Sequence, residues 1–108
     1  MTELAWAAGF FDGEGHVNNE NNKGKGKHHL RLQVSQTKGP ELLARFCRAV
    51  GGAAHVVGPY GPYGKATHAP HWQAVAHGEH VIDVYERLLP YLGSVKREQF
   101  RQAIAGSA

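Results

Sequence analysis

The chain has 108 residues, 42% of them hydrophobic, and 12 Lys/Arg against 9 Asp/Glu give a formal charge of +3 with eight histidines uncounted. That length supports one core and excludes a second, so residues 1–108 are read as a single domain. The one cysteine, Cys47, excludes a disulfide framework and a cysteine-based zinc finger, and its apolar setting reads as a buried structural thiol. No apolar run nears the roughly 20 residues that span a bilayer, and the N-terminus lacks the basic region of a signal peptide. The expectation is a soluble, intracellular protein whose modest basic balance favours a polyanionic partner.

Thr2 and Glu3 open a first helix in which Leu4, Ala8 and Phe11 share a face by 3.6 periodicity. Ala5, Ala8 and Gly9 leave another face nearly bare. Glycine inside a helix costs about 1 kcal/mol relative to alanine, so close approach of a partner helix is a physical reason to keep Gly9. Gly13 and Gly15 are expected to end this helix, alternating there with the carboxylates of Asp12 and Glu14. A carboxylate flanked by glycines at a helix end can approach a phosphate or a metal; it can equally be a polar end leading into a turn.

His16 to Asn22 is a weak strand carried by Val17, and Lys23-Gly24-Lys25-Gly26-Lys27 is a basic turn. Strict alternation from His28 places Leu30, Leu32 and Val34 on one face of a strand and His29, Arg31, Gln33 and Ser35 on the other. Pro40 and Glu41 begin a second helix with the stripe Leu42, Leu43, Phe46, Cys47 and Val50, which Gly51-Gly52 stop. Ala54 to Val57 is a short strand, and 58–70 a turn-rich loop exposing Tyr60, Tyr63 and Lys65. His71 to Ala76 alternates again, with Trp72, Ala74 and Ala76 against His71, Gln73 and Val75. A third helix carries Val81, Ile82, Val84, Tyr85, Leu88 and Leu89 and ends near Pro90; a fourth, from about Val95, carries Phe100 and Ile104.

This order predicts an α+β fold of αββαββα type, a four-stranded antiparallel sheet covered by helices on one face, with a terminal helix. The uncovered face would carry His29, Arg31, Gln33, Ser35, His71 and Gln73, side chains whose hydrogen-bonding groups suit base edges. His68 with His71, and His77 with His80, are three apart, but the first pair falls in loop or strand and no cysteine completes either set. Exposed or phosphate-contacting imidazoles are the better reading than zinc ligands. Lys25 and Lys27 form a solvated turn by default, and a phosphate clamp if the hairpin reaches along a duplex.

The stretch Ala7 to Gly15 resembles the LAGLIDADG homing-endonuclease motif, with Ala at the first position in place of the usual Leu, Phe10 and Phe11 in the apolar middle, and Glu as the second acid. There is one copy. Leu30 to Gln36 resembles the second strand of that family, and Leu89 to Gln99 the segment that enters its last helices. The resemblance implies a homodimeric, site-specific endonuclease acting on a long, nearly palindromic double-stranded DNA target with Mg2+, for which Mn2+ or Ca2+ can substitute in binding. It implies that Glu14 binds the metal with the Gly13 carbonyl, that Gln36 organises water, and that Lys96, with Arg97 able to share its role, approaches the cleaved bond. Asp12 takes a structural place at the helix end, in a dimer interface with Ala5, Ala8 and Gly9. Gln36 has the alternation parity of the core residues, so its role follows from resemblance alone. A rival reading keeps the fold and loses cleavage, as an intron RNA maturase or a DNA-binding regulator; a third is a structural dimerisation domain.

Overall fold

Thr2 starts α1 (Glu3–Glu14) by accepting the Ala5 N–H on its hydroxyl at 3.1 Å, a cap contributing about 1 kcal/mol. The computed structural model describes residues 2–21, 28–61 and 70–106, without the side chains of Glu20, Asn21 and His28. Lys25 and Lys27 therefore lie outside the described residues, as do Tyr63, Lys65 and His68. After α1 come β1 (Gly15–Asn21), β2 (His28–Gln36), α2 (Glu41–Ala49), β3 (His55–Tyr60), β4 (His71–His77), α3 (Glu79–Leu88), a 3-10 turn (Leu89–Tyr91) and α4 (Ser94–Gly106). Among the described residues no helix is long and apolar enough to cross a membrane.

The four strands form one antiparallel sheet in the order β1-β2-β4-β3. Register aligns Val17, Leu32 and Ala76 across one face, and His16, Gln33, Val75 and His55 across the other. The first row is buried beneath the helices together with Leu30, Val34 and Ala74. Two-residue side-chain periodicity thus separates an apolar, helix-covered face from a polar one.

Three phenylalanines from three helices meet over the covered face. The Phe11 ring centroid lies 6.1 Å from Phe46 of α2 and 5.2 Å from Phe100 of α4, and Phe100 stacks on Tyr85 of α3 at 4.8 Å. Such pairs add about 0.5–1.5 kcal/mol each beyond their buried area. Beside them Cys47 is buried, and burial pushes its thiol up to about 11. Gly52 N–H closes the end of α2 on the Cys47 carbonyl at 2.9 Å, and the positive φ of Gly51 (69°) and Gly52 (82°) explains why two glycines stop this helix.

Four expectations need correction. Leu42 and Leu89, read as stripe residues, are 44% and 36% exposed, because each stripe is wider than the surface it covers. β3 continues to Tyr60 rather than ending at Val57; Tyr60, expected exposed, is half-buried with its ring against His71. Gly13 sits inside the last turn of α1, and Gly15 follows it with extended backbone (φ −87°). Gly15 is required by space rather than by φ: a Cβ there would collide with the Phe11 ring.

Candidate active site and nucleic-acid interface

The end of α1 feeds directly into β1, so its two acids emerge where helix layer and sheet join. They face different surroundings. Asp12 accepts the backbone N–H of Gly93 on both carboxylate oxygens, at 3.1 and 3.0 Å, just before α4 begins. A carboxylate at that helix N-terminus is also favoured by the helix dipole. Asp12, assigned to the dimer face, is thus engaged within its own chain. Glu14 is exposed, and among the described residues no cation forms an ion pair with it.

Glu14 lines a cleft of about 340 Å³ with Ser35, Gln36, Thr37 and Lys38. Gln36 has the inner-face parity of Leu32 and Val34, as its pairing with Trp72 shows, and parity alone would bury it. It stands instead at the last position of β2, two residues beyond the Gly15–Val34 pair. The helix cover has ended there, so the inner-face side chain meets the tip of α1. Lys38 is a cleft residue the sequence reading missed; it lies past the strand, where alternation carries no information. Its one legible signal was its place two residues after Gln36.

Lys96 reaches the same junction from α4. Its ammonium donates to the Gly15 carbonyl at 2.7 Å and to Gln99 Oε1 at 3.2 Å, and stands 5.9 Å above the Phe11 ring. It is half-buried, which replaces the solvated helix face such a charge run would otherwise form, and it does not line the Glu14 cleft. Arg97 is exposed beside it.

Ala8 is corrected as an interface residue: it is fully buried in the chain's own core with Ala7 and Phe11. At 100° per residue the open side of α1 instead carries Ala5, Gly9 and Gly13. A Cβ added at Gly9 or Gly13 would meet nothing within 4 Å.

The polar sheet face gathers the remaining residues. His29, Arg31, Gln33, Ser35, His71 and Gln73 all stand on it, joined by His55 and His77. Arg31 donates to Gln73 Oε1 at 3.5 Å and Gln73 to Ser35 Oγ at 3.4 Å, which ties β2 to β4 across the face. His29 Nε2 lies 2.8 Å from His77 Nδ1. His77 therefore pairs across strands rather than with His80, which lies 3.8 Å from Asp83.

As a holder for a divalent cation, the cleft offers oxygen donors from one carboxylate, an amide and two hydroxyls, with the Lys38 ammonium beside them. Gly13 is among the last four residues of α1, whose carbonyls have no partner within a helix. Among the described residues no group of three metal-ligating side chains occurs. This set suits Mg2+, which is commonly held by one or two carboxylates with waters and substrate phosphates, and fits a complete protein cage poorly.

No family model and no curated protein matches the sequence. Solved structures do. The homing endonuclease I-CvuI, solved in complex with a DNA target in the presence of Mg with the DNA not cleaved, has a TM-score of 0.71 at 24% identity, over 92% of this chain and 61% of that one. The homing endonuclease I-CeuI complexed with DNA gives 0.64 at 17% identity, over 95% of this chain and 52% of that one. The LAGLIDADG homing endonuclease I-GzeII with its DNA target gives 0.61 at 15%, over 84% and 30%. The fold is that of the LAGLIDADG homing endonucleases, α+β with a four-stranded antiparallel sheet, and the chain spans about three fifths of I-CvuI and less of the other two.

Proposed function

We propose that this chain is one half of a homodimeric, metal-dependent endonuclease that cleaves double-stranded DNA at a long, nearly palindromic site. The observation that carries the reading is the contrast at the tip of α1: Asp12 is bound to Gly93, while Glu14 stays exposed in a cleft with Gln36 and Lys38. The open face of α1 at Ala5, Gly9 and Gly13 supports close approach of a second α1, which would bring two Glu14 tips together. The DNA-bound structures of the same fold support the partner.

Glu14 and the Gly13 carbonyl would hold Mg2+, which supplies an activated water and neutralises charge at the scissile phosphate. The chain's own groups do the rest. The Gln36 amide donates to or accepts from water in the cleft and orients it. Lys38 places a positive charge in that cleft, and Arg97 lies exposed next to Lys96. Lys96, by holding the Gly15 carbonyl, fixes the helix tip from which Glu14 projects. Arg31 and Gln33 on the open sheet face suit guanine and adenine edges in the major groove, and Lys25 and Lys27 suit phosphates.

The test is selection of cleaved molecules from a random duplex library, in Mg2+ and in EDTA, with sedimentation of the free protein. Double-strand cleavage at a two-fold symmetric site in Mg2+ alone, by a species of twice the chain mass, is expected. Sequence-specific duplex binding without cleavage would select the regulator reading, and preference for structured RNA the maturase reading.

A further inference from the structure

His29 and His77 form an arrangement that the proposed chemistry leaves unused. Their ring nitrogens Nε2 and Nδ1 lie 2.8 Å apart on the open sheet face, with centroids 4.9 Å apart. At that separation one nitrogen must donate and the other accept. The charged and titratable neighbours come from every adjoining element. On β2, Arg31 is the register partner of His77; on β1, Glu20 is the register partner of His29; on β3, His55 pairs with Val75, two residues from His77; and α3 begins with Glu79 and His80 just beyond.

We propose that His29 and His77 act as a single proton-bearing base reader, with His29 Nδ1 as the contacting atom and His77 as the positioning residue that sets its state. This rests on the reading of the sheet face as the DNA surface. In the neutral pair the shared line holds one proton. If His29 supplies it, His29 Nδ1 is a bare acceptor; if His77 supplies it, His29 Nδ1 carries a proton and donates. Adding one proton to either arrangement gives the same cation, in which His29 Nδ1 is always a donor. A second added proton would set two N–H groups against each other and break the contact, so the intact pair holds one added proton and no more.

Two consequences follow for DNA. Arg31 opposes the added charge in the free protein, whereas duplex phosphates favour it, so binding raises the pair's affinity for the proton. Duplex affinity is therefore greater at low pH and falls as the pair loses that proton with rising pH, by at most tenfold per pH unit for one proton. Base preference shifts with it. The cation donates toward the O6 and N7 acceptors of guanine, while the neutral pair can also accept from the exocyclic amine of adenine or cytosine.

The experiment measures binding of the full chain to a random-sequence duplex library in EDTA, between about pH 5.5 and about pH 8, with sequencing of the bound fraction. The same pH series is followed by imidazole NMR of the free protein. Wild type should bind tighter as pH falls, with guanine enriched at one position per half-site, and the rings of His29 and His77 should share one inflection. His77→Gln and His29→Gln, checked for folding by circular dichroism, should both flatten the pH dependence and abolish the shift in base preference. His80→Gln, on the exposed side of α3, should leave the slope unchanged. Duplex binding with the same pH slope in wild type and in both folded variants would overturn the inference while leaving the DNA-binding reading intact. Absence of duplex binding by wild type at every pH would overturn that reading and this inference with it.

Discussion

The Asp12 side and the Glu14 side of the α1 terminus differ in what their carboxylates are left to do. Asp12 faces the start of α4 and exchanges water for two contacts to the Gly93 N–H. Glu14, two residues on, has turned past the packed side of the helix into a cleft closed by the end of β2. A helical step of 200° is enough to separate a structural acid from an available one. Two cations divide in the same way: Lys96 is held by Gly15 and Gln99, and Lys38 lines the Glu14 cleft. Packing thus uses one acid and one cation and leaves another of each exposed at the cleft.

That division is testable at both acids. Glu14→Gln keeps size and hydrogen bonding but removes the charge a hard cation needs. Cleavage should fall below detection, with melting temperature and duplex binding in EDTA unchanged; a Glu14→Gln protein that nicks plasmid at the wild-type rate would erase the distinction. Gly15→Ala should give the largest loss of stability, about 1–3 kcal/mol or more, because the added methyl meets the buried Phe11 ring. Urea unfolding measures it. Asp12→Ala should cost about 1 kcal/mol, as for loss of a helix N-terminal cap, because the Gly93 N–H is exposed and water can replace the carboxylate, and any loss of cleavage should be accounted for by the unfolded fraction.

The cations sharpen the comparison. Lys38→Ala should slow single-turnover cleavage about tenfold, corresponding to one lost charge at a reacting phosphate worth about 1.4 kcal/mol, without lowering the melting temperature. Lys96→Ala should lower the melting temperature as well as the rate, since it frees the Gly15 carbonyl. The reverse pattern would return the phosphate contact to Lys96. The smallest effect belongs to Glu3, whose carboxylate accepts from Arg45 at 2.8 and 2.9 Å and is lowered first by that hydrogen bond. A depressed carboxylate adds stability above its unfolded value and loses it as pH falls through the folded one. Arg45→Met should therefore reduce the loss of stability seen in acid urea titrations below about pH 4.5.

Much of this was legible in local periodicity. The alternation of Leu30, Leu32 and Val34 against His29, Arg31, Gln33 and Ser35 settled which side chains face the helices, because a strand offers only two faces and only one was apolar. Thr2, Gly51 and Gly52 marked helix ends through backbone hydrogen bonding that depends on near neighbours alone. The pattern Asp12-Gly13-Glu14-Gly15 placed two acids at a helix end, and the wider resemblance supplied roles for them. What each residue touches was decided in three dimensions. Ala5 and Ala8 are both small and apolar, yet their own core takes Ala8 because the buried arc of α1 runs through Ala7, Ala8 and Phe11. Gly13 joins the open side because Glu14 extends the helix past it. Gln36 escapes its parity where the covering layer stops, and His29 meets His77 because antiparallel pairing brings together residues 48 apart in sequence. Periodicity depends on the next few residues; burial and pairing depend on which distant element arrives, and that is set only when the chain has packed.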